Sequence, residues 1–356
     1  MINKSALKNV LDNMQQNGID ENTAEELYHF FISNTPDRLV NMNPNYIAAQ
    51  CGIGRFEILN AVIQGITNSL FEMNWDINCT LCHDVVGQTK LLAGIKHTAH
   101  CERCETDFDN FADENITVSV SLHPSLFEKP PVISTQHKIT DSKSEPLRAL
   151  ELVGLPAFKQ NFSSQLPDLD ESIKIRSITV LFTDLIKSTH LYSAIGDLEA
   201  YALIREHFNV LFEKIISSSG GIIKTLGDAV LAFFPDPFTA VNVSFELKET
   251  VKDLFAGREL QEEFGLRIGI NQGPALIVNF NESMDVFGTT INLASRIVNF
   301  ADENSIALAP HILQDKELTD HLKKQGFEIR AFQQDIKGIP EINTINLISH
   351  KERKIS

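Results

Sequence analysis

The spacing of apolar positions changes character along the chain. Up to about residue 75 it is helical. In "TAEELYHFFISN" a Thr-x-x-Glu capping signature precedes Leu27, Phe30 and Phe31 on one face. "NPNYIAAQCGIGRFEILNAVIQGITNSLFEMNWD" then predicts a helix, a glycine-containing turn and a second helix, the outline of a winged helix-turn-helix. After a cysteine-containing stretch, "ITVSVSLHP" alternates as a strand does. "FEKPPVISTQHKITDSKSEPLRAL" is polar and rich in Pro, Ser and Thr, which predicts a linker, and "LPAFKQNFSSQLP" predicts a short connecting helix. From Ile173 to about residue 348, strand-like and helix-like segments alternate, as in an α/β or α+β domain. The expected organisation is helical and winged-helix-like at 1–75, a cysteine-bearing segment at 76–126, connecting at 127–172 and a single domain at 173–348.

Within that last region, "TVLFTDLIKST" places Ile178, Val180, Leu181 and Phe182 in a buried strand that stops at Asp184. Asp197 is placed to cap a helix with Leu198, Tyr201, Ile204, Phe208, Leu211 and Ile215 down one side. In "GIIKTLGDAVLAFFPDP", Gly227-Asp228 sits between two apolar runs and predicts a tight hairpin with a carboxylate at its tip. Two strand-end carboxylates can hold one or two Mg²⁺ ions, which take oxygen ligands. Asp is also an ordinary turn residue and helix start, and Gly-Asp an ordinary hairpin turn, so spacing alone leaves both readings open.

Charge narrows the partners. With 31 Lys and Arg against 47 Asp and Glu, the formal net charge is −16, which repels a phosphate backbone. The second helix of the winged-helix outline sets Arg55 against Glu57 and carries no basic stripe, so nucleic acid is not an expected partner. The N-terminus "MINKSALKNVLDN" lacks the apolar core of a signal peptide, and no apolar run approaches the length of a membrane span. A cytoplasmic protein with no membrane association is expected. In that compartment disulfides are disfavoured. Cys79-x-x-Cys82 and Cys101-x-x-Cys104, with eighteen residues between the pairs, then suit a zinc ribbon, one structural Zn²⁺ held by four thiolates. His83, His97 and His100 lie near enough to substitute as ligands, and Cys51 reads as a core thiol.

"TVLFTDLIKST", "GGIIKTLGDAV", "RIGINQGP" and "DVFGTTINLASRI" occur in this order, and together they resemble the catalytic domain of class III nucleotide cyclases, the adenylyl and guanylyl cyclases. The resemblance covers about residues 173–348. Upstream, "WDINCTLC", the second CxxC and "LHPSL" look like a domain of unknown function often found before bacterial cyclase domains; that likeness ends near residue 126.

The resemblance implies a ferredoxin-like α/β (α+β) fold and conversion of ATP to 3′,5′-cyclic AMP and pyrophosphate. It implies Asp184 and Asp228 as ligands of two Mg²⁺ or Mn²⁺ ions. Lys224 and Asp285 match the adenine-selecting pair, Asn292 and Arg296 the transition-state pair, and Lys337 in "DIKGIP" the late triphosphate-binding lysine. Asn292 and Arg296, spaced i, i+4, share a helix face. Family sites form between subunits, so a homodimer with two shared active sites is implied. Two positions depart from the pattern: Lys187 stands where Gly is common, and Pro274 where some members place an Arg. The alternatives are a guanylyl cyclase, a non-catalytic nucleotide-sensing homologue, and a zinc-ribbon adaptor whose cyclase domain is secondary.

Overall fold

The computed structural model describes residues 1–129, 144–167, 171–256, 264–280, 282–334 and 344–350. The chain divides into two units, Met1–Lys174 with Val278–Met284, and Ile175–Ile277 with Asp285–Ser356. Among the described residues, no helix is long and apolar enough to cross a membrane.

The first unit opens with four helices: α1 (Lys4–Gln16), α2 (Glu21–Ser33), α3 (Pro44–Cys51) and α4 (Arg55–Thr67). The capping residue of α2 is Asp20, whose side chain accepts from Thr23 N at 2.9 Å. Thr23 is therefore inside the helix and buried, not at its start. The turn between α3 and α4 forms as expected, with Gly52 at φ 66° where a side chain would be strained.

The second of these helices is shorter than the sequence predicts. It stops at Thr67, Ser69 turns into the left-handed region, and Phe71–Asn78 becomes strand β1. Strands β2 (Val85–Thr89) and β5 (Ile116–Leu122) flank β1 in a three-stranded sheet, and β3 (Thr98–Cys101) and β4 (Thr106–Asp109) form a separate ribbon. The expected boundary at 75/76 falls inside β1.

The described part of the expected linker packs on this unit. Helices α5 (Ala149–Val153) and α6 (Pro156–Asn161) bury Leu150, Leu152, Val153 and Phe158. Val118 N donates to Leu147 O at 2.7 Å. Trp75 Nε1 donates to Gln165 Oε1 at 2.8 Å, and Arg55 pairs with Glu151. A few apolar residues at helical spacing outweigh the polar composition around them.

In the second unit the elements follow as β6 (Ser172–Leu185), α7 (Ser188–Ile195), α8 (Asp197–Ser217), β7 (Gly221–Leu226), β8 (Ala229–Phe234) and α9 (Pro237–Phe255). After them come β9 (Leu266–Phe280), β10 (Ser283–Phe287), α10 (Thr289–Ile297), β11 (Ser305–Leu308), α11 (Lys316–Lys324), β12 (Phe327–Gln333) and β13 (Thr344–His350). The strands make one mixed sheet, ordered β12-β13-β11-β9-β6-β8-β7, with β10 paired to β9. This is the α+β arrangement expected, its core built from the helices and strands around Leu181, Phe234, Leu247 and Ile268.

The buried stripe of α8 differs from the expected one. Ala200, Leu203, Ile204, His207, Leu211 and Ile215 face inward, whereas Leu198 and Tyr201 are exposed. The helix begins at Asp197 with Gly196 as its capping residue, and its core positions follow from residue 200. His207 takes a place that apolar spacing had assigned to its neighbour Phe208.

Candidate active site

Strand β6 pairs antiparallel with β8, Thr179 opposite Phe234 and Phe182 opposite Leu231. Thr183 Oγ1 extends the pairing by accepting from Val230 N at 2.9 Å. Continuing this register brings Asp184 to the end of β8 that follows the turn. That turn is the two-residue connection Gly227-Asp228 between β7 and β8, with Gly227 at φ 64°. The two carboxylates predicted to act together are thus neighbours. Asp228 Oδ2 is buried without a hydrogen-bond partner. Burial first, and the charge of Asp228 second, raise the Asp184 carboxyl above its ordinary value. Arg267, on β9, opposes this with Nη1 3.3 Å from Asp184 Oδ2.

Two residues here were not singled out from the sequence. Arg267 was seen only as part of a motif; its place on a strand next to β6 is what turns it towards Asp184. His207 is fully buried close to Asp228, and both of its ring nitrogens lack a partner. Burial holds its pKa down, at about 4, against the opposing influence of Asp228.

The expected base-reading pair is also assembled. Lys224 on β7 donates from Nζ to Asp285 Oδ2 on β10 at 2.6 Å. The second oxygen of Asp285 accepts from Val286 N at 2.8 Å, which fixes the carboxylate plane. On α10, Asn292 is exposed and Arg296 half-buried, with Arg296 Nη1 enclosed and unpartnered. Among the described residues, Asp184 is ion-paired with Arg267 and Lys224 with Asp285, and neither the Asn292 nor the Arg296 side chain is hydrogen-bonded to any of these four. Lys337 lies outside the described residues. Lys187, the departure from Gly, adopts φ 64° and ψ 21° just before α7.

In the first unit, one ligand atom from each of Cys79, Cys82, Cys101 and Cys104 lies within 4.8 Å of the others. Cys79 and Cys101 are buried, and Leu81 N points at Cys79 Sγ from 3.4 Å. Backbone donors from Cys82 and Leu81 lower the Cys79 thiol pKa, whereas the neighbouring Cys82 thiol and burial push that of Cys104 up to about 12.

Residues 171–345 match the family model of the adenylate and guanylate cyclase catalytic domain, and residues 3–130 that of a family of unknown function (DUF5939). An adenylate cyclase of Streptomyces coelicolor is 35% identical over 138 residues, 38% of this chain and 33% of that protein. One from Streptomyces griseus is 31% identical over 164 residues, 46% of this chain and 38% of its own length. The chain thus spans about a third of the first relative and 38% of the second. Among solved structures, the adenylyl cyclase CyaB from P. aeruginosa aligns with 52% of this chain and 100% of its own at 22% identity, with a TM-score of 0.44.

Proposed function

We propose, from the premise that residues 171–345 belong to the adenylate and guanylate cyclase catalytic domain family, that the chain converts ATP to 3′,5′-cyclic AMP and pyrophosphate. The observation that carries the choice of nucleotide is the Lys224–Asp285 pair. A lysine donates to adenine N1, and a carboxylate accepts from the 6-amino group. Guanine presents a carbonyl where adenine has its amine and a donor at N1. A mismatched base would leave buried polar groups unpaired, at about 1–3 kcal/mol each.

Asp184 and Asp228 would hold two divalent cations, Mg²⁺ or Mn²⁺. The fit rests on the unpartnered Asp228 Oδ2 and on two carboxylates whose mutual repulsion a cation relieves. Such ions, when bound, supply Lewis acidity to the ribose 3′-hydroxyl and charge neutralisation to the triphosphate. Arg267 keeps one oxygen of Asp184 occupied and so sets the direction of the other. Arg296 offers its free Nη1 to phosphate oxygens as charge develops on them, and Asn292 orients the ribose. Lys337 is assigned to the triphosphate by its motif alone.

The two metal-binding, two base-reading and two transition-state residues all occur in one chain, so a homodimer with two equivalent shared sites accommodates them. Leu226 and Phe287, each two residues from the base-reading pair, are 49% and 62% exposed, apolar surface of the kind a second copy covers. The four clustered cysteines would hold one structural Zn²⁺ with no open coordination position.

The test is purified full-length protein with Mn²⁺ and ATP or GTP in separate tubes, products identified by mass. Cyclic AMP from ATP supports the reading. Preference for GTP would make it a guanylyl cyclase, and ATP bound but unconverted a nucleotide sensor.

A further inference from the structure

We propose that Asn271 is a positioning residue for this reaction, setting the placement of α10 on β9 and so the reach of Asn292 and Arg296. The proposal rests on the cyclase reading above.

Alternate residues of a strand share a face, and on β9 Gly269, Asn271 and Gly273 do so beneath α10. At Gly269 an added Cβ would stand 2.4 Å from Val298 N and 2.7 Å from Val298 Cα. Those are backbone atoms, which cannot swing aside. At Gly273 it would stand 2.7 Å from Thr290 Oγ1. The two glycines therefore let the helix lie directly on the strand, with no side chain between to define its height or slide.

Asn271 supplies that definition. It is 3% exposed, and its Nδ2 donates to Thr290 O at 2.9 Å. Thr290 Oγ1 in turn donates to Pro274 O at 2.7 Å. The first turn of α10 is thus tied to β9 at two points, and Asn292 and Arg296 follow on the same rigid helix. Asn271 Oδ1, by contrast, is buried with no partner. Leaving one half of a buried amide unpaired costs the desolvation of that atom. Its value lies in the direction of its donor.

The test is Asn271→Leu in the full-length protein, assayed with ATP and melted alongside the wild type. The expected result is a kcat lowered tenfold or more, a KM for ATP within threefold, and an unchanged or higher melting temperature. A purely structural role would lower the melting temperature and leave kcat per folded molecule alone; that result overturns the proposal, as does a kcat within threefold of wild type. Gly273→Ala, which presses on Thr290 from the same face, must show the same loss of kcat; it decides the matter if Asn271→Leu does not fold, and a kcat within threefold of wild type overturns the proposal there too. An active wild type with unaffected variants removes this inference alone. A wild type that makes no cyclic AMP removes the cyclase reading and this proposal with it.

Discussion

Lys187 carries a conformational cost that its position makes informative. A left-handed backbone costs a residue with a Cβ about 1–2 kcal/mol and costs glycine almost nothing. Lys187 holds φ 64° in the turn that leaves β6, three residues after Asp184. Lys187→Gly should therefore raise the melting temperature, by about 2–4 °C for each kcal/mol in a domain of this size. An unchanged or lower melting temperature in a thermal scan would mean that contacts of the lysine side chain outweigh the strain. The departure from Gly was visible in the sequence; its cost was not, because it depends on a dihedral angle. The carboxylates were legible for the opposite reason. Asp184 and Asp228 end an apolar run and occupy a Gly-Asp turn, both local patterns. Arg267 was not, since its role arises only when β9 lies beside β6.

At the scale of elements, Lys248 ties three segments together. It sits on α9, 7% exposed, and its Nζ donates to Leu266 O, to Asp302 O at 2.8 Å and to Glu303 O at 3.3 Å. Burial lowers its pKa from 10.5 to about 8, against the pull of Asp302 and Glu303. Between those two values the unfolded chain binds the proton that the folded chain has released. Stability then rises with pH across the window, by about 3 kcal/mol for this group, and is lost as pH falls through 8. Denaturant unfolding from pH 8 to 10.5 should show a stability gap between wild type and Lys248→Met that widens with pH; a constant gap would contradict it. In the first unit, Cys79→Ser should lose bound zinc, read by elemental analysis, and loosen residues 79–109, because a metal shell and the loops that form it fold together. Unchanged zinc content would contradict the cluster's assignment. Elements built on local periodicity, such as α3, α4 and the β7–β8 hairpin, were legible in advance. The strap of α5 and α6 was not: its apolar residues are few, and they make sense only against Trp75 and β5.

For the whole molecule, sharing of sites has a quantitative signature. If Asp184 and Arg296 serve from opposite chains, Asp184→Ala and Arg296→Ala homodimers are both inactive. A mixed dimer has one site with both lesions and one with neither. Coexpression in equal amounts makes about half of the dimers mixed, so about a quarter of the parental activity should return. Silent mixed dimers of verified composition would mean that each site lies within one chain or that the two sites are tightly coupled, and simple sharing would be wrong.

Strand β9 gives that fraction a second meaning. With sites shared in that way, its Arg267 would steady the carboxylate of one centre, while Asn271, four residues and roughly 13 Å further along, would hold the helix of the other. In such a pair each β9 would be a short mechanical link between the two centres. If the sites are shared in this way, coupling between the two centres would run along β9, and a deviation of the recovered activity from a quarter, in either direction, would measure it.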